Sequence, residues 1–176
     1  MKNDIKTTLK AWPVIALATI GLCFLTQKTA ELLGFPLPDQ QHVDVVRKCL
    51  LSMFSSKKSF YTCLFLLAQV LFILPFLEEL LFRWLIFKFP IRKLSKSKLA
   101  SKTKKCAIVL SIISSVLFSA AHYITQPFPD AAFVALFYFG LAQSYLYMKT
   151  DRLLCIFLNH MLFNLTNVVL VLIVPA

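Results

Sequence analysis

Apolar residues run along this chain in five long stretches with polar segments between them. The stretches are 11–26, 60–87, 107–124, 131–148 and 153–174. A bilayer core is crossed by about 20 helical residues, within a range of about 17–25, so the last three fit directly. The first is short and follows Lys2, Lys6 and Lys10. With no small-residue cleavage site after it, it reads as an uncleaved span rather than a signal peptide. The second makes about 42 Å of helix, which must tilt or protrude, and Pro75 inside it predicts a kink. Between these two, GFPLPD at 34–39 is turn-rich. The following VDVVRKCLLSMF at 43–54 is amphipathic, and reads as an interfacial helix or as a loop helix packed on the bundle. Three glycines and the absence of two-residue alternation argue against a membrane barrel. The expected fold is an all-α, multi-pass transmembrane bundle of about five spans, with a polar cavity inside it. Residues 1–59 would form the first span and connector, and 60–176 the membrane domain that carries the chemistry.

Composition removes the soluble alternative. Charged residues make up 15% of the chain and the mean hydropathy is +0.74, whereas soluble domains carry about 25% charged residues. Lys and Arg outnumber Asp and Glu by 19 to 8. These cations lie in the loops between apolar runs, which points to anionic lipid headgroups and topology signals rather than nucleic acid. With the N-terminus inside, segments 1–10, 88–106 and 149–152 hold 13 Lys and Arg, against 5 in 27–59, 125–130 and 175–176. A multi-pass protein of the cell membrane with a cytoplasmic N-terminus is therefore expected, its 88–106 basic loop facing anionic headgroups. The five cysteines have no metal-ligand spacing and read as small apolar residues.

Against this background the buried titratable residues stand out, because polar groups inside spans are costly. Glu78 and Glu79 sit in LPFLEELLFRW, and His122 and His160 each occur inside an apolar stretch. Glu79 and Arg83 are i and i+4 on one helix face and can pair, while Glu78 projects about 100° away toward a different neighbour. Phe118 and His122 share a face at the same spacing. His160, Asn164 and Asn167 draw a polar stripe down the last span. Together these residues form an inventory for activating a water on a carbonyl: a base, proton carriers and an oxyanion donor. Taken singly, each is as readily a packing residue, and Asn167 reads as a helix–helix hydrogen bond.

The same residues resemble the motif set of the CAAX protease and bacteriocin-processing family, also called the Abi family, of intramembrane glutamate-dependent endopeptidases. That pattern runs EExxxR, FxxxH and HxxxN or HxxxB on three successive motif-bearing helices. It is matched here by EELLFR at 78–83, FSAAH at 118–122 and HMLFN at 160–164. The likeness covers roughly residues 70–174. It implies that Glu78 activates the hydrolytic water with His122 as partner, that His160 and Asn164 stabilise the oxyanion, and that Glu79, Arg83 and Phe118 support the site. No metal or cofactor is implied, and the substrate is a membrane protein or peptide. Trp84 departs from the glycine often found after the motif arginine.

Depth along the spans gives a partial check. Glu78 lies nine residues from position 87 and His160 seven from position 153, which puts both about 10–14 Å from the cytoplasmic side. His122, fifteen residues from position 107, falls about 22 Å in unless its helix starts earlier or tilts. Three other functions use a similar inventory. One is a metal-dependent hydrolase with two histidines and a carboxylate as ligands. Another is a non-catalytic, bacteriocin-immunity-type membrane protein that binds a peptide. The third is a small proton-coupled transporter, against which the absence of inverted repeats argues.

Overall fold

Each apolar stretch folds as a helix, and some of the helices outrun the stretch that seeds them. The computed structural model describes residues 2–35, 37–38, 41–96, 103–124 and 130–173. Helix α1 (Lys2–Leu32) has 31 residues, because the polar residues flanking its apolar window are themselves adequate helix formers. Helix α2 (Gln41–Leu51) is the amphipathic connector piece, and it packs against its neighbours α3 and α6 as a loop helix. Helix α3 (Lys57–Ser95) is a continuous run of 39 residues, about 58 Å long. Its N-cap, Ser56, accepts the backbone N–H of Ser59. Helix α4 (Thr103–Ala121) ends in a 3₁₀ turn, His122–Ile124, and is followed by α5 (Ala132–Thr150) and α6 (Leu153–Ile173). Part of the turn predicted at 34–39 and the middle of the basic run, 97–102, lie outside the described residues.

Pro75 is absorbed by a change of helical register. Two stretches of α3, Gln69–Ile73 and Glu79–Lys88, are π-helical, with an α-helical turn, Leu74–Glu78, between them. The N–H of Leu74 reaches back five residues to the carbonyl of Gln69. In that register the carbonyl of Val70 falls opposite Pro75, which has no N–H to offer. The side chain of Asn164 on α6 fills the gap, its amide donating to the Val70 oxygen at 2.8 Å.

Among the described residues four helices, Lys2–Leu32, Lys57–Ser95, Thr103–Ile124 and Leu153–Ile173, are long and apolar enough to cross a membrane. The remaining stretch, 131–148, differs in composition. Helix α5 has 19 residues but carries Gln143, Ser144, Tyr145 and Tyr147. It packs against α1, α4 and α6, so much of its surface meets protein rather than lipid and need not be uniformly apolar. The central core takes one aromatic from each of four helices, Phe82, Phe118, Phe139 and Phe163, closed by Ile15 and Ala16 of α1. Outward-facing Leu17, Phe65, Leu85, Ile108 and Leu172 are exposed, as a surface solvated by lipid tails requires.

Small residues set the closest approach in the bundle. A Cβ on Gly140 would stand 2.8 Å from Ser115 Cβ and 3.0 Å from its Cα, so α4 and α5 touch almost backbone to backbone. Ser119 Oγ donates to the Phe133 carbonyl at 2.8 Å nearby. Gly140→Val is expected to cost about 1–3 kcal/mol through overpacking, with Gly140→Ala costing less. Thermal unfolding in detergent checks the order, and a Val variant as stable as the parent would contradict this packing.

One end of the bundle is tied by ion pairs. Asp151 caps α5 in the left-handed conformation (φ 52°), its N–H bonded to the Tyr147 carbonyl at 2.8 Å. Its carboxylate reaches Lys88 at 2.8 Å and Arg92 at 3.0 Å on α3. Arg152 pairs with Asp4 of α1 at 2.8 Å. The hydrogen bond from Lys88 is the main cause holding the Asp151 carboxyl below the usual aspartate range. The stability it contributes is therefore present above the unfolded aspartate value and is lost as pH falls through the depressed one. Because the side chain is exposed, that contribution is below about 1 kcal/mol. Asp151→Ala loses both the bridge and the tolerance for positive φ, whereas Asp151→Gly loses only the bridge. Gly should therefore be the milder substitution in a thermal melt.

Candidate active site

The long helix α3 presents its two adjacent carboxylates to different surroundings. Glu79 is fully buried, whereas the side chain of Glu78 is 27% exposed. Rotation of about 100° per residue accounts for the split. Glu79 Oε1 accepts from His160 Nδ1 at 2.7 Å and from Gln143 Nε2 at 3.1 Å. Its other oxygen, Oε2, lies 3.6 Å from Arg83 Nε. That is ion-pair range but beyond a hydrogen bond. Glu79 and Arg83 do pair as the i, i+4 spacing predicts, yet the closer partners of Glu79 come from α5 and α6.

His160 stands between the two carboxylates. With Nδ1 donating to Glu79, Nε2 faces Glu78 Oε2 at 3.5 Å. The hydrogen bond on one ring nitrogen thereby fixes what the other can do. His122 shows the same orientation by other means. Its Nδ1 donates to the Phe118 carbonyl at 2.9 Å, so Nε2 is the ring nitrogen that this bond does not engage. Among the described residues His122 makes no hydrogen bond to Glu78.

Phe118 connects these groups. It is completely buried, and its ring stands edge-on to His122 at 4.8 Å, to His160 at 6.0 Å and to Phe82 at 5.6 Å between centroids. The Arg83 guanidinium lies over the same ring, with Cζ 4.0 Å from its centroid. A desolvated cation–π contact of this kind is worth about 2 kcal/mol. Arg83 is fully buried, and none of its three side-chain nitrogens has a hydrogen-bond partner among the described residues. Its charge is met by Glu79 and the ring face.

His122 is joined to the other motif residues through Phe118. Helix α4 starts at Thr103, earlier than its apolar stretch, and Phe118 is the residue whose ring reaches His160. His122 sits one turn further along, in the 3₁₀ turn that ends α4. Asn164 is placed one turn beyond His160 on α6, where one of its two amide hydrogens is used by the Val70 carbonyl. Asn167 makes no hydrogen bond among the described residues.

Two buried polar residues escaped the sequence reading. Gln143 on α5 donates to Glu79, and its carbonyl accepts from Asn159 Nδ2 at 2.9 Å. Neither residue titrates, so a search for buried charge passes over them. The signal was present nonetheless, since an amide inside an apolar span needs a partner as much as a carboxylate does. Among the described residues no three His, Cys, Asp or Glu side chains converge as ligands for a metal ion.

A family model described as Type II CAAX prenyl endopeptidase Rce1-like matches residues 47–166. The match runs from within α2 into α6 and spans all three motifs. No curated protein and no solved structure matches the chain.

Proposed function

The chain belongs to the Rce1-like type II CAAX prenyl endopeptidase family, a family of CAAX-type membrane proteases, and from that premise we propose that it hydrolyses a peptide bond with a water activated by Glu78. The observation that carries this reading is the division of labour between the two carboxylates. Glu79 is sealed and occupied by donors, while Glu78 is open and, among the described residues, faces His160 Nε2 at 3.5 Å. A water within reach of both Glu78 Oε2 and His160 Nε2 closes a triangle of ordinary hydrogen-bond lengths. From there it can be deprotonated by the carboxylate as it attacks a carbonyl.

His122 contributes a second imidazole, whose Nε2 makes no hydrogen bond among the described residues, and serves as the partner of Glu78 in moving the proton. The unused amide hydrogen of Asn164 stabilises the oxyanion, a role worth about 2.7–4 kcal/mol per donor in comparable sites, and His160 joins it once its Nε2 has taken up the proton that Glu78 removed from the water. Glu79, Arg83 and Phe118 support the arrangement from below. The substrate is a membrane-associated protein or peptide.

The orientation follows from where the cations fall. The ends of α3 and α5 and the starts of α1 and α6 meet at one end of the bundle, joined through Asp151 and Asp4. That end carries Lys88, Arg92, Lys149 and Arg152. We assign it to the cytoplasmic face of the cell membrane, against anionic headgroups.

The test is cleavage by purified protein in liposomes of a prenylated peptide ending in a Cys-aliphatic-aliphatic-X sequence. Release of a C-terminal fragment, read by mass spectrometry, is the expected result. An intact substrate, both with and without its lipid, would overturn the proposal.

A further inference from the structure

The buried amide pair Gln143 and Asn159 has a use beyond joining α5 to α6. Gln143 spends both hydrogens of its side-chain amide, one on Glu79 Oε1 at 3.1 Å and one on the Ile156 carbonyl at 3.0 Å. Its own carbonyl accepts from Asn159 at 2.9 Å. A flipped amide would set oxygen against both the Glu79 carboxylate and the Ile156 carbonyl, and would leave Asn159 facing an N–H. The three bonds therefore admit one orientation, with the donor pointing at Glu79.

That donor matters because Glu79 has a competing partner. Arg83 is a fully buried cation, on the same helix face, whose three nitrogens make no hydrogen bond among the described residues. An unrestrained carboxylate would close on it in a direct, charge-assisted bond. Instead Oε2 stands off at 3.6 Å, while Oε1 is held by Gln143 and His160. We infer that Gln143, locked by Asn159, is a positioning residue that keeps Glu79 on His160 Nδ1 and so turns His160 Nε2 toward Glu78. The relay then runs from Asn159 through Gln143, Glu79 and His160 to Glu78.

The inference rests on the proposed catalytic roles only for its effect on turnover. Its structural content is the tautomer of His160, which is measured separately. In protein labelled with ¹⁵N-histidine and held in nanodiscs, His160 is expected to show a protonated Nδ1 and an unprotonated Nε2. Assignment would come from His42→Gln and His122→Gln variants. Gln143→Met preserves length without a donor. It should shift His160 to a mixture of tautomers and lower kcat by roughly tenfold with KM unchanged. Asn159→Leu frees the amide to flip and should move both readouts in the same direction by less. It also decides the matter if the Met variant fails to fold. A folded variant of either kind with the His160 signals unmoved and kcat within about twofold of the parent would overturn the inference and leave the pair as helix packing. If the parent shows no cleavage but the tautomer still shifts, the positioning role stands and the protease reading fails.

Discussion

Glu78→Gln is expected to abolish cleavage, lowering kcat by at least about a thousandfold while the protein melts close to the parent temperature. General base catalysis by a positioned side chain contributes about 10²–10⁴-fold, and a thousandfold corresponds to about 4 kcal/mol of transition-state stabilisation. The substitution preserves shape and removes only the ability to take a proton. Folding should tolerate it because Glu78 is partly open and its close polar neighbour among the described residues, His160 Nε2, stands off at 3.5 Å. The adjacent Glu79→Gln should behave in the opposite way. Its carboxylate accepts two hydrogen bonds and faces a buried guanidinium, so neutralising it should lower stability strongly and turnover less. Cleavage and thermal unfolding measured on both variants separate the roles. Retained turnover in Glu78→Gln beside lost turnover in Glu79→Gln would reverse the assignment.

That such adjacent residues can be told apart at all reflects what a sequence carries. The helical rotation between Glu78 and Glu79 is fixed by backbone geometry, so their divergence was legible without coordinates. The helices of the five apolar stretches, the stripe of His160, Asn164 and Asn167 along one α-helix, and the pairing of Glu79 with Arg83 come from periodicity within single helices, and each is present in the structure. What periodicity does not fix is the rotation of one helix against the next. The nearest partners of Glu79 are on α5 and α6, and α5 is hard to orient from its pattern because it has protein neighbours on several sides. Pro75 illustrates a second limit. Its presence predicts a kink, but whether the helix breaks or changes register depends on a donor from elsewhere, here Asn164 on α6. The first span ran past its expected bounds for a related reason, since hydropathy marks where a helix meets lipid and not where it ends.

Arg83→Met is expected to be the most destabilising substitution in the bundle, at about 3–5 kcal/mol, the range found when one partner of a buried ion pair is removed. Two losses coincide. Glu79, with no exposure, is left charged beside an apolar side chain, and Phe118 loses the guanidinium that sits 4.0 Å over its ring. Arg83→Lys should fall between the variant and the parent, because an ammonium keeps the charge but not the planar stacking. The double variant Glu79→Gln, Arg83→Met should recover much of the lost stability, since no buried charge is then unpaired, and the shortfall from additivity measures the coupling. Thermal unfolding in detergent reads the parent, the three single variants and the double variant. If the single Arg83→Met variant loses less than about 1 kcal/mol, the guanidinium is not what stabilises the carboxylate, and the two hydrogen bonds on Glu79 Oε1 suffice by themselves. With the expected loss, Arg83 instead belongs to the foundation of the site. It would then act by holding the Glu79 carboxylate in place beside His160, and its substitution would register in the melting temperature before it registers in the chemistry at Glu78.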